Sequence, residues 1–222
     1  MKSRLANVLD KIKRANPDSS RMVRLVAVSK TKPLEDVIEA YQCGQRHFGE
    51  NYIAELNDKS HDPRILEQCP DIKWHFIGNL QSNKAKILAN CPNLDTVETI
   101  HSSSIADKLN KEREKISASI DLLRVFIQVK TAVDEETKGG CSTDEVCDIA
   151  QFIREKCPKL KLSGLMTIGN LNASINSTSL DTNPDFESLI ECKKKVCERF
   201  NNDENSKNLE LSMGVSFFFL MS

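Results

Sequence analysis

The sequence lacks an excess of either charge: 31 Lys and Arg face 32 Asp and Glu in 222 residues. That balance excludes the basic footprint of a nucleic-acid binder and the acidic tail of a solvating arm. The basic cluster Lys193-Lys194-Lys195 lies among apolar residues of a predicted helix and reads as a solvated face. No apolar run approaches the roughly twenty residues that a membrane helix needs. The longest is Phe217 to Met221, and the opening Met1-Lys2-Ser3-Arg4-Leu5 has no apolar stretch of the signal-peptide kind. Eight cysteines are present, but none have CxxC spacing. In a chain without a secretory signal they read as reduced thiols of a cytoplasmic protein. The acceptor patterns at Asn172 and Asn176 then carry no weight as glycosylation sites. The four histidines, His47, His61, His75 and His101, supply no tight Cys/His pairs of a zinc site. Glycine is missing from the first strand-to-helix turn, Ser29-Lys30-Thr31-Lys32-Pro33, and no P-loop occurs, which argues against a nucleotide.

What is present is a regular alternation. Leu5, Val8, Leu9 and Ile12 have helical spacing and predict an opening amphipathic helix. Short apolar runs near 24–30, 46–50, 73–78, 95–100, 122–130, 161–168 and 209–213 predict seven strands, with helices between them. Pro33 opens one helix, with Val37, Ile38 and Tyr41 on one face and Gly44 as its C-terminal cap. Ser142-Thr143-Asp144-Glu145 has the form of a capping box opening another. Strand–helix alternation throughout predicts a parallel sheet wrapped in helices, and seven such units suit a (β/α)8 TIM barrel better than an open doubly wound sheet. The Asn/Ser/Thr-rich stretch 170–183 reads as a flexible loop, and a second polar stretch, 201–208, precedes the last strand. Neither marks a domain boundary, so 1–222 reads as one domain.

Chemistry is expected at the strand ends. Leu25-Val26-Ala27-Val28 reads as a strand buried on both faces, and Lys30 follows it directly. An amine held there in a water-poor niche would have a lowered pKa and could attack an aldehyde to form a Schiff base, although most strand-end lysines simply reach solvent. Asn51 after strand two could bond a ring hydroxyl or orient Lys30. Met166 in strand six could pack its sulfur on a flat ring, while Ser212, Gly214 and Ser216 near strand seven could donate to a phosphate. Each has a plainer reading, as turn residue, core filler or cap. His75 reads as a core histidine hydrogen-bonded within the fold.

The stretches Val26–Pro33, Gly44–Tyr52, Trp74–Gln81, Gly164–Gly169, Asn183–Phe186 and Leu211–Gly214, in that order, resemble the pyridoxal phosphate homeostasis protein family. The resemblance implies a barrel of the alanine-racemase N-terminal type, with pyridoxal 5′-phosphate (PLP) on Lys30; Asn51, Met166, Ser212 and Gly214, read above from the strand ends, are the expected cofactor-binding residues beside it. It implies a monomeric, non-catalytic cytoplasmic protein of PLP homeostasis that holds the cofactor and delivers it to apoenzymes, with no nucleic acid or membrane as partner. Only eight residues follow Gly214, leaving no room for the β-rich second domain of the racemases and decarboxylases of this fold class. The family pattern stops near 214, so the eighth strand and last helix are expected to be missing and 215–222 to be a divergent tail. The expected consequences are weakened PLP binding and unpaired edges on strands one and seven. Two other readings stay open: a PLP-dependent amino-acid racemase or lyase, and a truncated isoform without cofactor.

Overall fold

The computed structural model describes residues 1–16, 23–116, 121–131, 139–169 and 183–213. The chain order is α1 (Lys2–Ala15), β1 (Ala27–Val28), α2 (Leu34–Gln42), β2 (His47–Glu50), α3 (Ile53–His61), α4 (Pro63–Gln68), β3 (Lys73–Phe76), a 3-10 turn (Ser82–Lys84), α5 (Ala85–Ala89), β4 (Leu94–Ile100), α6 (Ser103–Glu114), β5 (Leu123–Gln128), α7 (Val146–Lys156), β6 (Leu160–Met166), α8 (Pro184–Arg199), α9 (Glu204–Lys207) and β7 (Glu210–Ser212). The seven strands join one sheet in sequence order, the order of a (β/α) barrel, and the described registers β1–β2, β2–β3, β5–β6 and β6–β7 are all parallel. The expected fold class holds. Gly214 and the tail, with Ser216, lie outside the described residues, as does nearly all of the polar loop at 170–183.

Two compact units divide the chain: Met1–Gly78 with Lys86–Thr96, and Asn79–Ala85 with Val97–Ser222. In the first, Phe48, Trp74 and Phe76 of β2 and β3 are fully buried with Val37, Leu56, Ile65, Ile72 and Leu88. The Phe48 and Trp74 rings lie 6.0 Å apart. Each large side chain so buried contributes about 1.5–3 kcal/mol. In the second, β5 and β6 bury residues on both faces, as central parallel strands do. Val146, Ile153, Leu189 and Val196 cover them from α7 and α8. Lys194 and Lys195 stay exposed beside the buried Cys192 and Val196, so that cluster is a solvated face. Arg124 of β5 pairs with Glu210 of β7 at 2.6 Å, spanning β6.

Two local expectations are corrected. The first strand is neither long nor buried on both faces: β1 has two residues, and Val28 is 40% exposed. It pairs only with β2, so its other side has no neighbour in the strand order. The Ser142 motif does not start its helix at once. The Glu145 carboxylate accepts from the Ser142 N–H at 2.9 Å, as a capping box requires, but the Ser142 hydroxyl donates to the same carboxylate at 2.9 Å instead of accepting a backbone N–H, and α7 begins at Val146. Gly44 does follow α2, at φ +101°, and Pro33 precedes it as expected.

All eight cysteines are unpaired, six of them buried. Burial pushes the Cys91 and Cys157 thiols up to about 11 and Cys141 up to about 12. Among the described residues, no helix is long and apolar enough to cross a membrane.

The α8–β7 connection is held by charge. Asp203 caps α9, accepting from Ser206 N at 2.7 Å, and takes an ion pair from Arg154 at 2.6 Å. These bonds, Arg154 first, hold its carboxyl down at about 2, below the ordinary 3.8. A carboxylate lowered in the fold stabilises it above the ordinary value and loses that contribution as pH falls toward about 2. Asp203→Asn is therefore expected to lower the urea midpoint at pH 6, with the gap to the parent closing below pH ~4.

Candidate functional site

The turn after β1 is braced by several side chains. Ser29 N donates to Gly49 O at 2.9 Å, continuing the β1–β2 ladder by one residue. The Ser29 hydroxyl donates to Glu50 Oε1 at 2.7 Å, and its carbonyl accepts from Lys59 Nζ at 2.8 Å. Lys59 also bonds Glu50 Oε1 at 2.8 Å and Glu55 Oε1 at 2.7 Å. Glu55 Oε1 in turn accepts from Thr31 N at 2.7 Å, and Thr31 takes the left-handed conformation at φ +60°. Residues 29 and 31 are thus fixed by one ion network, and Lys30 sits between them.

The inner half of that network is buried, and its outer half, at Glu55 and Thr31, reaches solvent. Glu50 is fully buried and Lys59 is 8% exposed. Burial raises the Glu50 carboxyl above its ordinary value, opposed by the hydrogen bonds from Lys59 and Ser29. Lys30 itself is part-exposed, and its amine has no hydrogen bond or ion pair to a described residue. The expected dry niche for the amine is corrected: the buried lysine is Lys59, and Lys30 is a reachable side chain on a rigid backbone.

The other expected residues fall into two register pairs. The β1–β2 register ends at Val28↔Gly49, and Lys30 and Asn51 lie two residues beyond it on either strand. Met166 and Ser212 are direct partners at the ends of β6 and β7, in the second unit. Asn51 is positioned by Gly78, where a Cβ would lie 1.8 Å from the Asn51 carbonyl oxygen, so only glycine fits. Asn51 Oδ1 and Glu50 Oε2 are buried acceptors without a hydrogen-bond partner among the described residues. Met166 is buried. The Ser212 hydroxyl donates to the Glu98 carboxylate, a buried acid that needs donors, so it is committed within the protein. Beside it, Thr167 N bonds Ser212 O at 3.0 Å and the Thr167 hydroxyl meets Thr131 Oγ1 at 2.8 Å. His75 is 1% exposed and bonds His47 at 2.8 Å, a core histidine as expected.

Sequence reading missed Ser29, Glu50, Glu55 and Lys59. The only available signal was the Glu55–Lys59 spacing of four on a helix, which ordinarily marks a surface pair.

The donor set fits an aldehyde cofactor carrying a ring hydroxyl. Lys30 offers an uncommitted primary amine, and the orphaned Asn51 Oδ1 is an acceptor awaiting a donor. Lys59→Met is expected to destabilise the fold by about 3–5 kcal/mol, because it strands the Glu50 charge in the interior. Glu50→Gln should cost less, since Glu55 still neutralises Lys59; urea denaturation of both variants measures the difference.

Comparison with known proteins adds four findings. The alanine racemase N-terminal domain family matches residues 3–220. The human pyridoxal phosphate homeostasis protein is 45% identical over 196 residues, 88% of this chain and 69% of that protein. The PLP-bound structure of PipY from Synechococcus elongatus is 28% identical and superposes with a TM-score of 0.70 over 97% of this chain and 89% of that one. An alanine racemase from Clostridium difficile, 13% identical, shares the fold alone, with a TM-score of 0.57 over 94% of this chain and 49% of the racemase.

Proposed function

Because the chain belongs to the pyridoxal phosphate homeostasis proteins, within the alanine racemase N-terminal domain family, we propose that it binds PLP and takes part in intracellular PLP homeostasis. Lys30 is the amine that holds the cofactor. Asn51 accepts from the ring hydroxyl, Met166 packs beside the ring, and Ser212 and Gly214 serve the phosphate end. For Ser212 this requires its hydroxyl to leave Glu98 or its backbone to contribute instead. The cofactor supplies an electrophilic aldehyde. The chain supplies an amine whose flanking residues are locked by Lys59, Glu50 and Glu55 while the amine itself stays accessible.

The observation that carries this reading is the contrast at Lys30: a fixed backbone, an unpaired and part-exposed amine, and an orphaned buried acceptor on the neighbouring strand end. An accessible lysine suits a protein that takes up and gives back its cofactor better than one that seals a substrate away from water. We therefore read the chain as a carrier without turnover, acting as a monomer in the cytoplasm on residues 1–222 as one domain, with apoenzymes as recipients. The unpaired thiols support the compartment.

Borohydride reduction of the PLP-treated chain followed by peptide mass spectrometry should place a pyridoxyl group on Lys30. Lys30→Ala should lose the visible PLP absorbance and keep the parent's thermal midpoint, because the amine has no partner among the described residues. Labelling of another lysine, or sustained turnover of an amino acid by the loaded protein, would overturn the reading.

A further inference from the structure

A second cluster of reactive side chains lies at the other end of β2. His47 is its first residue and Asn51 follows its last, four positions on, so the two are about 13 Å apart along the strand. His75 lies across from Gly49 in the β2–β3 register. The Ile77 and Val26 side chains fill the space beside Gly49, and the His75 ring bonds His47 directly. Trp74 N donates to Asn93 O at 2.9 Å, which brings the start of β4 alongside β3. The result is three ligand atoms, His47 Nδ1, His75 Nε2 and an Asp95 carboxylate oxygen, all within 4.8 Å of one another. No sequence motif announces them, because each comes from a different strand.

The distances bracket those of a metal site. His47 Nδ1 and His75 Nε2 are 2.8 Å apart, and His75 Nε2 and Asp95 Oδ2 are 3.9 Å apart. A tetrahedral ion with bonds of about 2.0–2.2 Å spaces its ligand atoms about 3.3 Å apart. One separation must open by about half an ångström and the other close by about as much. His47 is half-buried and can tilt, whereas His75 is fixed in the core. Asp95 is 17% exposed, which leaves a solvent-facing side for a fourth ligand. Thr96 Oγ1 donates to Asp95 Oδ2 at 2.6 Å and Lys73 lies 3.9 Å from Oδ1, so an incoming ion competes with these and the other contacts of the carboxylate. Lys73 is half exposed and can swing into water as a cation enters, and Arg24, which also acts on His47, is a further opposing charge.

We propose that His47, His75 and Asp95 form a binding site for one divalent transition-metal ion of the zinc type, separate from the Lys30 site. Two imidazoles and one carboxylate suit Zn²⁺, Co²⁺ or Fe²⁺ rather than Ca²⁺ or Mg²⁺, which prefer oxygen donors. Each ring presents a lone pair to the ion by carrying its proton on the far nitrogen, so the bond between the two rings is exchanged for two bonds to metal.

Co²⁺ titration of the full reduced chain tests this, because the ion reports its ligands by colour. One equivalent should bind with visible d–d bands and without the near-ultraviolet thiolate band that cysteine ligation gives. His47→Gln and Asp95→Asn should each weaken binding at least about tenfold, with folding checked by circular dichroism. Lys30→Ala should bind as the parent does, so the outcome is independent of the PLP reading. Absence of stoichiometric uptake, a thiolate band, or undiminished affinity in both ligand variants would overturn the proposal.

Discussion

The Lys59–Glu50 ion pair is the constraint on which the site depends. Neither charge would survive burial alone, and together they need further partners to be tolerated. Ser29 and Glu55 provide them, and both connect to the residues flanking Lys30. The cost of burying two charges is thus converted into positional order at the turn after β1. An apolar pair at positions 50 and 59 would fill the same space, but it would offer nothing to hold the Ser29 carbonyl or hydroxyl.

Much of the fold was legible because a parallel sheet wrapped in helices repeats its pattern. All seven predicted strands are found, from His47–Glu50 and Lys73–Phe76 through Leu160–Met166 to Glu210–Ser212. Pro33 and Gly44 bracket α2 as turn chemistry dictates. The first strand was misjudged because four aliphatic residues read alike whether a strand is central or terminal, and burial follows from neighbours that a single segment does not reveal. The Ser142 helix start was misplaced because a serine hydroxyl can serve a carboxylate as readily as a backbone N–H.

The site was legible in part. Lys30 stood out by position, and Asn51 and Met166 lie at strand ends as expected. The ion network was not legible, since Glu50 sits 21 residues from Ser29 and Lys59 sits 30 residues away. Ser212 was assigned from its residue type, and its engagement by Glu98 depends on a contact 114 residues distant. The His47, His75 and Asp95 grouping is likewise a product of strand register.

The burial of the thiols has a consequence for selectivity. Thiolates compete with amines for reactive aldehydes. With Cys91 and Cys157 at about 11 and Cys141 at about 12, these sulfurs stay protonated and poorly nucleophilic at physiological pH. The packing of the interior therefore acts as chemical insulation for these three thiols, keeping them from competing with amines for an electrophile.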